Sequence, residues 1–287
     1  MHVITGITGN VGGEVARALL NAGHAVRAVI RDPRKGAVWE ALGCDVSLAD
    51  MNDAAALAAA FKAASDVFVL LPPNFDPSPD FPETRAIVAA LRQALATARP
   101  GKVVCISTIG AQAKRENLLT QLTIMEESLG DLPMPITFLR PAWFMENCSW
   151  DVAPARDTRV ISSFLQPLEK PVPMVATADV GRVAAELLQE TWTGRRIIEL
   201  EGPTRVTPNQ IAATFAEIFS HPVQVETVPR ETWEQLFKSQ GMKHPGPRIH
   251  MLDGFNQGWI EFEQNETMRR KGRIGLKEVL TGLARVK

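Results

Sequence analysis

Four glycines near the start of the chain lie between an apolar run and a helical pattern. The apolar run covers 3–5, the glycines follow as G-x-x-G-x-x-G-G over 6–13, and apolar residues at helical spacing continue to 20. Because Gly9 lacks a Cβ, a phosphate can approach the backbone and the positive end of the helix, while Gly12 or Gly13 lets the helix pack close to the strand. Strand, glycine turn and helix in this order predict a dinucleotide pyrophosphate site. The contacts expected from the turn are Gly6, Thr8, Gly9, Asn10, Val11 and Gly12.

The first half of the chain alternates short apolar runs with helical patterns. Short runs that are apolar at nearly every position are typical of a parallel sheet covered on both faces, and intervening helices supply right-handed crossovers. The alternation predicts an α/β fold with a doubly wound parallel sheet. The predicted strands are 2–5, 25–30, 44–47, 66–71, 102–106 and 135–139. The predicted helices are 11–22, 35–42, 53–64, 81–98 and 112–129.

The pattern changes after Pro141. Residues 148–176 contain four prolines and lack clear periodicity, whereas Asp179 is placed to cap a further helix that precedes a strand at 197–200. We expect a dinucleotide-binding domain and a smaller, discontinuous α+β substrate domain. The expected division is 1–147 for the first domain, with 177–200 packing back onto it, and 148–176 with 201–287 for the second.

Composition argues against several classes of protein. A formal net charge of −1 does not favour a nucleic-acid surface. Cys44, Cys105 and Cys148 are far apart in or beside apolar segments, so we expect buried reduced thiols, and no histidines or cysteines have metal-ligand spacing. No apolar stretch reaches the length of a membrane span, and the first residues enter the fold without a signal peptide. These features predict a cytoplasmic protein with a small-molecule partner, and a homodimer stays open.

Several segments together resemble one family. The opening TGITGNVGGEVARALL resembles the extended and atypical short-chain dehydrogenases. VRAVIRDP, DVFVLLPP, VVCISTIGA, ITFLRPAWFMEN and ADVGRVAAELL resemble the NmrA-like branch of these proteins. The resemblance implies a Rossmann fold that binds NAD(P)H. The branch includes quinone oxidoreductases, azoreductases and catalytically silent redox sensors.

Arg31 ends the second predicted strand, where dinucleotide folds contact the adenosine ribose. An arginine there can pair with a 2′-phosphate, and Lys35 adds positive charge nearby, although Arg31 can also be a solvated residue at a strand end. Asp32 can reach the ribose itself, but an Asp-Pro pair more often starts a turn or caps the next helix. The cationic residues predict a preference for NADP(H), with NAD(H) still possible.

The resemblance places three further segments against the cofactor. Asp50 and Met51 are expected at the adenine, with a turn as the equal alternative for Asp50. Leu71, Pro72 and Pro73 end the fourth predicted strand and are expected to line the cofactor, although the prolines also stop the strand. The third segment supplies Pro141 and Phe144 beside the nicotinamide.

Ser107 and Asn147 are the residues expected to orient the nicotinamide or the substrate. The alternative for Ser107 is a hydroxyl that satisfies the start of the next helix. Trp143 and Phe144 can supply a flat apolar surface for an aromatic substrate, or one of them can pack in the core. Arg140 is expected in a structural ion pair.

The chain contains no tyrosine, so it lacks the Tyr-x-x-x-Lys pair that typical short-chain dehydrogenases use as acid and base. The helix predicted after the fifth strand carries no lysine over 121–126, and Lys114 lies upstream of it. We expect hydride transfer from NADPH to a quinone-like or other conjugated electrophile, which collects its proton from solvent. The alternatives are a non-enzymatic sensor that binds a partner protein, and reduction or isomerisation of a specialised metabolite.

Overall fold

The computed structural model describes residues 1–263 and 268–285, and its centre is an eight-stranded sheet in which every pairing is parallel. The strands are β1 (His2–Ile4), β2 (Val26–Ile30), β3 (Asp45–Leu48), β4 (Asp66–Val69), β5 (Val103–Ile106), β6 (Ile136–Pro141), β7 (Trp143–Phe144), β8 (Val160–Ser163), β9 (Met174–Val175), β10 (Arg195–Glu201), β11 (Gln224–Thr227) and β12 (Arg269–Lys271). The order in the large sheet is β12-β10-β6-β5-β4-β1-β2-β3, while β8 pairs with β11 and β7 with β9. The predicted doubly wound parallel sheet is confirmed.

Helices cover both faces of this sheet and bury two apolar cores. The α-helices are α1 (Asn10–Asn21), α2 (Gly36–Ala41), α3 (Ala54–Phe61), α4 (Pro82–Ala98), α5 (Thr120–Leu129), α6 (Val152–Asp157), α7 (Thr177–Gln189), α8 (Pro208–Phe219), α9 (Trp233–Ser239), α10 (Gly246–Gln257) and α11 (Leu276–Arg285). Alternate side chains of one strand enter different cores: Val103 and Cys105 pack with α3, α4 and α5, whereas Val104 and Ile106 pack with α1 and α7. No described helix is both long enough and apolar enough to span a bilayer.

The helix predicted at 112–129 is correct only for its second part, because α5 begins at Thr120. Asn117 diverts the preceding backbone: its side-chain oxygen accepts the N–H of Leu119 at 2.8 Å and its amide donates to the carbonyl of Arg115 at 2.8 Å. Such local side-chain bonds offer the backbone an alternative to the helix. Residues 112–119 therefore form a loop beside the end of β5.

The expected division into two domains stays a prediction, and the structure adds one feature to it. Strand β12 lies within 201–287, yet it pairs with β10 and extends the large sheet. Its sequence is Arg269-Arg270-Lys271, which has no apolar periodicity from which a strand could be predicted. Strand β8 lies within the irregular 148–176 segment and was likewise not predicted.

Asp179 has a different role from the predicted helix cap. Glu146 caps α7, since its carboxylate accepts the backbone N–H of Thr177 at 2.9 and 3.0 Å. Asp179 is buried and accepts the N–H groups of Arg273 at 2.7 Å and Ile274 at 2.8 Å. It thus fixes the segment after β12 against the start of α7.

Helices α1 and α7 lie side by side, and Gly181 sets their distance. A Cβ on Gly181 would lie 2.4 Å from the Cβ of Glu14 and 3.1 Å from the carbonyl oxygen of Val11. Backbone and Cβ atoms cannot yield as the tip of a flexible side chain does. A larger residue at 181 must therefore push α1 away, and α1 carries the glycine turn at its start.

We expect Gly181→Ala to lower the free energy of unfolding by about 1–3 kcal/mol, the usual cost of overpacking. The matched control is Gly282→Ala in α11, where a new Cβ would meet no atom within 4 Å. Alanine has the higher helix propensity, so the control should be neutral or stabilising. Denaturant unfolding measures both, and equal stability of the two variants would contradict the packing role of Gly181.

Candidate functional site

The polar and glycine-containing segments predicted from the sequence collect along one edge of the large sheet. Because its strands are parallel, the segments that follow β1, β2, β3, β4, β5 and β6 all leave at their carboxyl ends. In open sheets of this kind ligands bind outside these ends, where the strand order reverses. Here the reversal falls between β1 and β4, which lie next to each other.

The glycine turn after β1 has the backbone geometry that its sequence predicts. Gly6 adopts a left-handed conformation with φ +64°. Its carbonyl oxygen accepts the N–H of Gly9 at 3.0 Å, and a Cβ on Gly12 would lie only 2.3 Å from the same oxygen. The Thr5 hydroxyl donates to the carbonyl of Phe68 at 3.1 Å and so ties the turn to β4. Gly6 and Gly12 are thus required by the fold itself.

Gly9 differs from these two glycines because a side chain there would meet little protein. A Cβ on Gly9 would lie 3.4 Å from the carbonyl oxygen of Gly6, an ordinary contact. Gly9 is the N-cap of α1, and among the described residues no side chain bonds to this helix start. Thr8, Gly9 and Asn10 are exposed, while Val11 is buried. The first N–H groups of α1 therefore have no side-chain partner among the described residues and can bind an anion.

The acidic residues after β2 and β3 are engaged in local turns. The carboxylate of Asp32 accepts the N–H of Arg34 at 3.1 Å and pairs with its guanidinium at 2.9 Å, and this bonding holds the pKa of Asp32 below its ordinary value. Asp50 accepts the backbone N–H of Asn52 at 2.9 Å and its side-chain amide at 3.0 Å, which lowers the pKa of Asp50. Arg31 is exposed, and no hydrogen bond or ion pair links its side chain to another described residue.

The other residues expected at the cofactor lie along the same edge. Lys35 is exposed at the start of α2, and Pro72 and Pro73 are exposed after β4. Met51 and Leu71 are half-buried and pack against the core under α3 and α4. Their contact with a cofactor stays a prediction.

Ser107 has a partner that the sequence did not indicate. Its side chain is 4% exposed, and its hydroxyl donates to Oε1 of Glu126 at 2.5 Å, not to the start of a helix. Glu126 is buried in α5 and accepts two further bonds from Arg140, Nε to Oε1 at 2.8 Å and Nη2 to Oε2 at 2.7 Å. A serine has one O–H, so only its acceptor lone pairs remain for a ligand.

The network continues from Arg140 toward the surface. Its Nη1 donates to Glu263 at 2.6 Å and to Gln112 at 3.1 Å, which confirms the predicted structural ion pair. Glu126 was missed because sequence reasoning searched α5 for a lysine. The available signal was an acid inside the apolar stripe formed by Met125 and Leu129, where a buried charge needs a partner.

The segment after β6 faces α10. Pro141 is buried, Phe144 is half-buried and Asn147 is exposed. Trp143 packs edge-on against Phe255 of α10 with ring centroids 5.1 Å apart. Trp143 is thereby fixed from one side and half-buried, so its rotation is restricted.

The loop after β4 is bonded to the segment before α10. The Asp76 carboxylate accepts the backbone N–H groups of Lys243 at 2.8 Å and His244 at 2.7 Å. Phe75, next to it, is 64% exposed. The Asp76 bonds and the Trp143–Phe255 contact thus join α10 and the segment before it to the carboxyl edge of the sheet. We call the region between these two contacts the cleft.

Asp151 titrates near neutral pH. It lies at the end of the 3₁₀ helix Met145–Asp151 and is half-buried, and its carboxylate accepts no hydrogen bond from the described residues. Burial without compensation raises the pKa of Asp151 to about 7. Within 1–263 and 268–285 no three His, Cys, Asp or Glu side chains are grouped to hold a metal ion. The three cysteines are free and buried, as expected.

Comparisons with known proteins agree with this geometry. Residues 2–257 match the sequence model of the NmrA-like family. An NAD(P)H azoreductase from Xenophilus azovorans is 26% identical over 244 residues, covering 84% of this chain and 82% of that protein. A (4-alkanoyl-5-oxo-2,5-dihydrofuran-3-yl)methyl phosphate reductase from Streptomyces griseus is 30% identical over 233 residues, covering 79% and 76%. The NADPH complex of an Escherichia coli quinone oxidoreductase superposes with a TM-score of 0.82 at 22% identity, covering 99% of each chain, which shows a common fold.

We expect Glu126→Gln to lower the free energy of unfolding by about 3–5 kcal/mol, because it removes the buried carboxylate from Arg140 and leaves the exposed Glu263 to balance the guanidinium. The control is Glu127→Gln, the neighbouring residue on the exposed side of α5. That change should stay within about 0.5 kcal/mol. Chemical denaturation measures both, and a small effect at 126 would show that the pair adds little to stability.

We expect Asp151→Asn to raise the melting temperature at pH 8 by about 2–4 °C. The native state holds the Asp151 proton more tightly than the unfolded state, so its contribution to stability falls as pH rises from about 4 to about 7. Asparagine carries no charge, and the gain should vanish near pH 4. Asp157→Asn is the control, because Asp157 is exposed and paired with Arg156. A gain that did not depend on pH would contradict the titration.

Proposed function

Because the chain belongs to the NmrA-like family, we propose that it is an oxidoreductase that uses NADPH to reduce a quinone-like or other conjugated acceptor. The observation that carries the proposal is the exposed start of α1, where Gly9 leaves the helix N–H groups open beside a left-handed Gly6. Such a helix start at the switch point of a parallel sheet suits a dinucleotide pyrophosphate.

The residues after β2 support NADP(H) over NAD(H). Discrimination for NAD rests on a free carboxylate that accepts from the 2′-hydroxyl. Here Asp32 is already bonded to Arg34, whereas Arg31 and Lys35 are exposed cations. A 2′-phosphate would gain charge-assisted bonds from them.

The rest of the cofactor would lie along the sheet edge. We assign Asp50 and Met51 to the adenine and 71–73 to the central part of the cofactor. Pro141, Phe144, Ser107 and Asn147 are the residues proposed around the nicotinamide. The bound cofactor supplies hydride, and these residues position it.

The residues proposed around the nicotinamide, all in the described part of the chain, offer no ready proton donor. The chain has no tyrosine, and the Ser107 proton is committed to Glu126. A conjugated acceptor spreads the charge that hydride addition brings and takes its proton from water. The protein then contributes orientation and exclusion of solvent, with Trp143 and Phe144 offering apolar surface to the acceptor. The names of the azo-, quinone and oxo-dihydrofuran reductases fit the same class of reaction.

The same lack of a donor favours one other candidate function, a dinucleotide sensor that binds a partner protein without turnover. Both functions need the glycine turn, so cofactor binding alone does not distinguish them. Turnover of an acceptor distinguishes them, because only the reductase oxidises NADPH.

A cytoplasmic location and a homodimer are the remaining proposals. Three apolar side chains in this part of the surface are exposed: Val38 on α2 by 64%, Leu42 directly after α2 by 49% and Leu48 on the edge strand β3 by 55%. These neighbouring apolar side chains offer a surface to a second copy. Light scattering during gel filtration gives the mass in solution.

We expect the protein to oxidise NADPH steadily in the presence of simple quinones and azo dyes, followed at 340 nm. Gly9→Val should abolish this activity and weaken NADPH binding, because its side chain occupies the space of the phosphate. The fold should persist, since a Cβ at 9 makes only an ordinary contact. The control is Gly275→Val, where the Cβ meets nothing within 4 Å. Tight NADPH binding without turnover of any acceptor would contradict the reductase and support the sensor.

We expect Arg31→Ala to weaken NADPH binding by about ten- to a hundredfold, the loss of one charge-assisted bond, and to affect NADH less. Arg99→Ala removes the same charge from an exposed residue after α4, at the opposite edge of the sheet, and should change neither affinity. Fluorescence titration of the wild type and the two variants with each nucleotide gives the six dissociation constants. Equal losses for both nucleotides would mean that Arg31 does not contact the 2′-phosphate.

A further inference from the structure

Arg248 differs from the other buried and half-buried arginines in having no acidic partner among the described residues. Each other arginine that is buried or half-buried in the described part of the chain has a carboxylate oxygen within 4.0 Å, whereas Arg248 has none. The paired arginines are Arg27, Arg92, Arg140, Arg182, Arg196, Arg205, Arg269 and Arg270. Such pairing is the rule because a guanidinium that loses water needs a counter-charge.

The surroundings of Arg248 are apolar. Its guanidinium carbon lies 4.4 Å from the ring centroid of Phe237, and Nη1 lies 3.7 Å from the sulfur of Met242. Burial lowers the pKa of Arg248 from its ordinary value, and no other charged group acts on it. Arg230 stands over the Trp233 ring in a similar way, yet Arg230 also pairs with Asp253 at 2.7 Å. Within 1–263 and 268–285, therefore, no carboxylate lies beside Arg248.

Arg248 lies on the same face of α10 as Phe255, which contacts Trp143. Residues 248, 252 and 255 share one face of the helix, since their spacing matches the helical repeat. Phe255 on this face packs against Trp143, and Leu252 is buried. Arg248 lies seven residues before Phe255, about 10 Å along the axis. The segment just before α10 is the one that Asp76 bonds, so Arg248 stands toward the Asp76 end of the cleft.

We propose that Arg248 binds an anionic oxygen group of the acceptor, a carboxylate, sulfonate or phosphate, while the acceptor ring lies toward Trp143. This inference rests on the proposed function for the reaction, but anion binding itself does not require turnover. The planar guanidinium can donate two parallel bonds to such a group, and Phe237 beneath it holds the plane in place. The separation along α10 suits an extended aromatic acceptor that carries its charge at one end.

Binding of a matched pair of inert ligands tests the proposal. The ligands are 2-naphthoate and 2-naphthamide, which share a ring system and differ in charge, measured by calorimetry on the NADPH-loaded protein. The wild type should bind the naphthoate about tenfold or more tightly than the amide, as expected for a charge-assisted bond. Arg248→Gln should remove this preference. Arg230→Gln, the control for a cation over a ring, should keep it.

Two outcomes would overturn the proposal: equal affinity of the wild type for both ligands, or a preference that survives in Arg248→Gln. Arg248→Lys keeps the charge and should keep part of the preference, which covers the case in which the glutamine variant does not fold. A preference of the wild type for naphthoate that did not fall as the salt concentration rises would likewise contradict a charge–charge contact at Arg248.

Turnover gives the second readout. With 1,4-naphthoquinone-2-sulfonate and 1,4-naphthoquinone, Arg248→Gln should raise KM about tenfold for the sulfonate and leave KM for the neutral quinone within about twofold. If the wild type reduces neither quinone but binds naphthoate through Arg248, the reductase proposal fails and the anion site stands. If it reduces both with equal KM and binds both naphthalenes equally, the anion site fails alone.

Discussion

The site depends on eight strands that run in the same direction. Parallel pairing sends the ends of β1 to β6 to one edge, so glycine, arginine, serine and proline segments from distant parts of the sequence become neighbours. The approach of α1 to this edge is possible only because Gly12 has no side chain, since a Cβ would lie 2.3 Å from the Gly6 carbonyl oxygen. Gly181 on α7 allows α7 to pack closely against α1 and so fixes the position of α1. The open helix start is thus a product of close packing, although it lies at the surface.

A buried ion pair stabilises the other half of the edge. Glu126 receives bonds from Ser107 and Arg140, which end β5 and β6, and so joins α5 to both strands. The polar atoms of this region bond to one another. A satisfied network of this kind is rigid, and each member is costly to remove alone.

The sequence predicted what depends on neighbours along the chain. The glycine turn, the strands of the first half, the parallel sheet and the turn roles of Asp32 and Asp50 follow from local patterns, and all are seen in the structure. Partners that arise from folding were not predicted: Asp179 bonds to residues more than ninety positions away, and Glu126 was not noticed at all. Arg248 could not be singled out from the sequence for the same reason. What distinguishes it is that no acidic side chain within 1–263 and 268–285 pairs with it, and only the folded chain shows this. Cofactor contacts of individual residues stay predictions.

The bond between Asp76 and the segment before α10 has a consequence for how such a chain can diversify. Asp76 accepts only backbone N–H groups, those of Lys243 and His244. Any residue except proline supplies the same donor, so the side chains at 243 and 244 are free to vary while the loop and helix stay joined. Mutation at 243 and 244 can thus change the chemistry of this surface without loosening the backbone that carries it. At this point of the molecule, surface chemistry and architecture can change independently.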